Sequence, residues 1–150
     1  MNDILEPISR EKIQALEDKI AQCPQLVIEP VHYFADGLYA REITIPEGAV
    51  LTGRVHKFEH LNIVSKGTIT VWTEGGMRTV SAPFTMVSKP GTKRVGLALT
   101  ETVWTTVHAL PNDIRDIEAV EARIAEPPIY RIVEAGKPCV EEPPCPLLQP

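Results

Sequence analysis

Four side chains in the middle of this chain have the types and spacing to do chemistry: Arg54, His56, His60 and Arg94. In extended backbone, residues two apart share a face, so Arg54 and His56 point the same way and His60 and Asn62 form a second such pair. Neutral imidazoles can coordinate zinc, iron, nickel or copper. Guanidiniums keep their charge and repel a cation, by on the order of 4 kcal/mol at about 4 Å and an effective dielectric of 20. They suit carboxylate or phosphate instead, so two Arg and two His that converge would make a pocket for an anionic or sugar ligand. His108 is the imidazole that could restore a metal: a hairpin turning at Thr100-Glu101 would set it opposite Lys93 and near Arg94. Any metal would then rest on His56, His60 and His108, and a divalent transition metal is the secondary expectation; no cofactor is favoured.

The same residues have plainer roles open to them. Arg54 and Arg94 could be solvated or paired with Glu42, Glu59 or Glu101, and His56 and His60 could be satisfied polar residues at the mouth of a β-structure. Alternation leaves two inward sets in this segment, Val50, Thr52 and Arg54 or Leu51, Gly53 and Val55. Other signatures are missing: the sequence has no G-x-S-x-G, no G-x-x-x-x-G-K, no C-x-x-C and no H-E-x-x-H. Trp72 and Trp104 stand among few aromatics and read as core or subunit-contact residues rather than stacking platforms.

The elements that must position these groups are short. From Leu38 to Ala109, alternating runs fall between turn residues, with strands expected at 38–45, 50–56, 60–66, 68–73, 77–81, 84–88, 93–99 and 102–109. Pro46-Glu47-Gly48, Gly67, Glu74-Gly75-Gly76, Pro83 and Pro90-Gly91 supply the punctuation. Eight such strands predict a jelly roll. Before them, Ile13, Leu16 and Ile20 recur at helical spacing, with Ser9 as N-cap, Glu11 in the first turn and Pro24 as the stop. After them, Ile114, Ile117, Val120 and Ile124 lie on one helical side, Asn112 is the expected N-cap, and Pro127-Pro128 ends the helix. The closing segment from Glu134 is rich in proline, which argues for an extended arm.

Composition narrows the function classes. A chain of 150 residues suits one domain, and a net charge of -5 lacks the basic footprint that nucleic-acid binding needs. No apolar run approaches a membrane span, and the acidic, proline-interrupted opening is unlike a secretory leader. Cys23, Cys139 and Cys145 are odd in number, and reduced thiols are expected of a chain with no export signal.

The block from Gly48 through Arg54, His56 and His60 to Gly67 keeps the spacing of the first motif of the cupin superfamily: G, five residues, H-x-H, three or four residues, E, six residues, G. Arg54 stands for the first His and His60 for the Glu. In the second motif Arg94, after Pro90-Gly91, stands for the His. Only His56 and His60, of the four positions that hold metal in the family, can bind a cation here. Residues 38–125, with Ala82-Pro-Phe-Thr and the Asn112-Asp-Ile-Arg-Asp-Ile-Glu segment, also resemble small cupin-like proteins of tailed bacteriophages.

That resemblance implies a mainly β, cupin-like jelly-roll barrel at 38–110 with a helix at 111–126 after it; outside the resemblance, the residues themselves predict a helix and lead-in over 1–37 and an extended Pro-rich arm over 127–150. It further implies a non-enzymatic oligomer serving as a structural or accessory virion component, assembled in the host cytoplasm. Its expected partners are copies of itself and other virion proteins, with no nucleic acid and no membrane. The alternative is a cupin-type metal-dependent enzyme or a small-molecule binding module.

Overall fold

The computed structural model describes residues 9–126 and 131–134. Helix α1 covers Arg10–Ile20, and the Ser9 hydroxyl caps it by accepting from the Lys12 amide. Then come β1 (Val31–Ala35), β2 (Leu38–Ile45), β3 (Ala49–Thr52), β4 (His60–Lys66), β5 (Thr68–Thr73), β6 (Gly76–Ser81), β7 (Phe84–Ser88), β8 (Val95–Ala98) and β9 (Thr102–Ala109). Helix α2 (Ile117–Ile124) and strand β10 (Arg131–Glu134) follow. None of the described helices is long and apolar enough to cross a membrane.

Two antiparallel sheets face each other, ordered β1-β2-β9-β4-β7 and β10-β3-β8-β5-β6. Alternate residues of both sheets point inward, and Ile43, Ile45, Val64, Ile69, Val71, Val80 and Ile132 form the core between them. A second cluster, Tyr39, Leu110, Val120, Ile124 and Ala125, seals one end under α2. A third, Ile20, Cys23 and Val133 with Val50, seats α1 on the outside of the second sheet.

All eight expected strands are present, although β3 stops at Thr52 rather than 56 and β8 spans only 95–98. Two more strands occur among the described residues. The lead-in contains β1, joined to β2 by the two-residue turn Asp36-Gly37, a strong hairpin signal that lies outside the expected barrel bounds. Within the expected arm, residues 131–134 pair with β3 as an edge strand, the position a proline-flanked segment tolerates. The rest of the expected arm lies outside the described residues.

Three local expectations need correction. The second helix starts at Ile117 with Asp116 as its cap, accepting from the Ala119 amide. Asn112 instead accepts from the Gly37 amide and donates to Asp36, tying the approach to α2 to the first hairpin. On α1, Leu16 is exposed and Glu17 takes the inward place, paired with Lys93. Cys23, expected as a reduced thiol, is disulfide-bonded.

Candidate functional site

Between the sheets lies a cavity of about 90 Å³, lined on its apolar side by Ile43, Ile45, Leu51, Ile69 and Val71 and on its polar side by Arg41, Arg54, His56, Asn62, Arg94 and Trp104. Of the two inward sets that alternation left open, Leu51 and Gly53 face this cavity, while Val50 packs toward α1. Arg54 and His56 face it as well. The strand ends at Thr52, the Gly53 amide bonds the Arg94 carbonyl, and the alternation slips by one residue between Gly53 and Arg54.

The irregular segment after β3 is held by α2 rather than by a strand. The Glu126 amide donates to the Val55 carbonyl, the Lys57 amide to the Ile124 carbonyl, and His56 forms an isolated bridge with Ala125. Arg54 meets Glu121 of α2 at 3.7 Å, so its ion-pair partner is none of Glu42, Glu59 and Glu101; Glu101 pairs with Lys66. Arg94 is positioned by a different network. Its guanidinium donates to the Ser88 hydroxyl, Asn62 donates to the same hydroxyl, and the Trp104 indole donates to Asn62 Oδ1 at 3.1 Å. Trp104 therefore orients a polar residue of the cavity in addition to filling space.

The histidines gather at the end of the cavity nearest α2. His56 and His60 have ring centroids 4.2 Å apart, His60 and His108 4.7 Å, and His56 and His108 4.9 Å. His108 does not arrive through a hairpin with Lys93: β8 and β9 belong to different sheets, and Lys93 is bound to α1. It arrives because β9 pairs with β4, with Leu61 opposite Val107 and Asn62 opposite Thr106, which brings His108 beside His60. His32 stands behind them, its Nδ1 2.6 Å from the hydroxyl of Tyr39, whose ring faces His108. All four histidines of the chain thus lie in one row.

Burial governs the charge of this row. Loss of solvation, then the neighbouring imidazoles and guanidiniums, pushes His56 down to about 2. Desolvation followed by His60 and Arg41 lowers His108 to about 4, and desolvation lowers His60 as well. These imidazoles are neutral at physiological pH, and their nitrogen lone pairs are available. The positive charge of the site resides on the arginines, where burial of Arg94 lowers its pKa by disfavouring the cation.

Among the described residues no group of three or more His, Cys, Asp or Glu side chains is placed to hold a metal ion. The cluster has spare donors nonetheless: His60 Nε2 and both ring nitrogens of His108 are buried without a hydrogen-bond partner. Arg54, His56 and Arg94 line the cavity, and the rings of His60 and His108 stand beside that of His56. Arg41, Asn62, Ser88 and Trp104 complete the site. Arg41 was legible in principle, because an arginine in phase with Ile43 and Ile45 on one strand is a charge at an inward position. Ser88 carried no signal.

No family model and no curated protein matches the chain. Among solved structures, a protein of Neisseria meningitidis superposes with a TM-score of 0.50 at 11% identity, covering 70% of this chain and 100% of its own. A cupin-2 domain protein of Shewanella frigidimarina gives 0.47 at 17% identity, covering 63% and 92%. KdgF of Halomonas sp. gives 0.48 at 21% identity, covering 57% and 82%. Two facing antiparallel sheets, with an N-terminal helix and a later helix, make the chain a mainly β, cupin-like sandwich, and its likeness to the Neisseria meningitidis protein is one of fold.

Proposed function

We propose that this protein is a cupin-type binding module whose barrel takes a small anionic ligand. One observation carries the reading: Arg41, Arg54 and Arg94 line a single cavity beside neutral His56. Guanidiniums at a part-buried position favour a planar or multidentate anion, carboxylate or phosphate, and the apolar wall of Ile43, Leu51 and Ile69 would pack on a short carbon skeleton. Calorimetric titration of chelator-treated protein with citrate, phosphate and a sugar phosphate should find one that binds, and Arg94→Gln should weaken it by about 10- to 100-fold, as loss of a hydrogen bond to charge does. Binding by none of the three, or equal binding by the variant, would sink the reading.

A second reading, assembly through protein contacts as an oligomeric virion component, is favoured by one feature of the first sheet. Tyr33, Ala40, Val107, Leu61 and Val87 are successive register partners across all five strands. They form an outward apolar row in which Tyr33, Leu61 and Val87 are 51%, 41% and 58% exposed. Contiguous outward apolar side chains of this kind mark contact surfaces. Leu61→Asp with Val87→Asp should reduce the mass measured by light scattering to that of one chain. A wild-type protein already monomeric at high concentration would contradict the assembly role.

A further inference from the structure

We infer that helix α1 sets how tightly the barrel holds its anion, because Glu17 and Arg10 position the segment 89–94 that presents Arg94 to the cavity. The inference deepens the anion reading and rests on it. Arg10, Glu17 and Lys93 are positioning residues, and none of them lines the cavity.

The segment has no strand of its own to fix it. Strand β7 ends at Ser88 and β8 begins at Val95, so the residues between them lie outside both ladders. Within the segment, the Thr92 hydroxyl donates to the Lys89 carbonyl at 2.9 Å. Toward the cavity, the Gly91 amide donates to the His56 carbonyl and the Arg94 carbonyl accepts from the Gly53 amide, each at 3.0 Å. A shift of the segment therefore moves Arg94 and the backbone at His56 together.

Helix α1 grips the same segment from the other side. Arg10 Nη1 donates to the Gly91 carbonyl at 2.9 Å, and Lys93 Nζ pairs with Glu17 Oε2 in the interior. Lys93 and Arg94 are consecutive, yet Lys93 reaches the helix while Arg94 reaches the cavity, where its guanidinium donates to the Ser88 hydroxyl. One carboxylate outside and one hydroxyl inside thus hold the chain at adjacent residues.

The chemistry of the outer grip points to placement. A buried ion pair gains little stability over an apolar pair of similar volume, because desolvation offsets most of the attraction. What it adds is direction, since apolar side chains slide past one another and a charged pair does not. A guanidinium that binds an anion must be held to within about 0.5 Å and 10–20° of its working geometry, so small displacements of Lys93 reach the ligand through Arg94. Linkage makes the coupling reciprocal: a partner that draws α1 away weakens the anion, and the anion tightens the docking of α1.

The test titrates inorganic phosphate calorimetrically into the full chain as wild type, Glu17→Gln, Arg94→Gln and the double variant. Glu17→Gln alone should weaken binding by roughly 2- to 30-fold, the range for residues that act through a chain of contacts. Once Arg94 is gone, Glu17→Gln should weaken binding no further, because both act through one group. Unchanged affinity in Glu17→Gln, or the same loss with and without Arg94, would overturn the inference. If Glu17→Gln does not fold, Arg10→Ala takes its place in the same cycle and is judged the same way, since its side chain is 43% exposed. If the wild-type chain takes up no phosphate, the fault lies with the anion reading for that ion, and the helix is scored on the free protein. The Arg94 Nε–H resonance, identified by its absence in Arg94→Gln, must then move in Glu17→Gln or Arg10→Ala. A resonance that stays in place in both overturns the positioning role.

Discussion

Gly67→Ala should lower stability by on the order of 4 kcal/mol, while Gly48→Ala, at the other end of the same motif, should lose about 1 kcal/mol. Both glycines hold a positive φ, +85° and +80°, which any L side chain resists. They differ in what surrounds them. A Cβ on Gly48 meets nothing within 4 Å, but one on Gly67 would fall 2.1 Å from the Glu101 carbonyl oxygen and 2.9 Å from Thr102 Cα. Those are backbone atoms at the start of β9, the central strand of its sheet, so no side-chain rotation relieves the clash. Either the β4–β5 turn or the β9 register must move, and β9 carries His108 and Trp104. Thermal melts of the two variants should separate by about 6–12 °C. Coincident melts would mean that the close approach is not real.

Lys93→Met should cost about 3–5 kcal/mol, because it strands a carboxylate in the interior. Lys93 Nζ pairs with Glu17 Oε2, and the two side chains are 4% and 3% exposed. Removing both charges, with Glu17→Leu and Lys93→Met together, should recover most of the loss or exceed wild type, since a buried pair and an apolar pair of similar volume are often close in energy. The prediction follows from position. Glu17 sits between Ile13 and Ile20 on the buried side of α1, and Lys93 lies at the approach to β8, so the pair fixes how the helix docks. Urea denaturation of the two single variants and the double gives the coupling directly. Single variants that each lose under 1 kcal/mol would show the pair to be solvated.

Much of the fold was legible because strand signals are local. Alternation and turn residues located eight strands in sequence, and Ser9 announced the start of α1, since a hydroxyl that caps an amide three residues on needs no tertiary partner. Structure departs from local preference where a distant contact outweighs it. Asn112 has the composition of a helix cap, but the hairpin amide at Gly37 claims its side chain, leaving Asp116 to cap α2. Leu16 fits an apolar stripe better than Glu17 does, yet Lys93 draws Glu17 inward. Strand β10 has only four residues, and its pairing with β3 across about eighty residues of sequence leaves no local trace.

By itself the sequence determined that Arg54, His56 and His60 keep the spacing of a first barrel motif between Gly48 and Gly67, and that Arg94 follows the Pro90-Gly91 turn of a second, because turn glycines and the residue spacing between them are local features. It also determined that two of those positions favour anions over cations, because a guanidinium does not lose its proton. Only the tertiary structure decided where His108 goes. Register between strands more than forty residues apart is a property of sheet packing rather than of either strand, and it sets β9 against β4 instead of β8. That one choice puts a third imidazole beside the first two and leaves its nitrogens buried without hydrogen-bond partners.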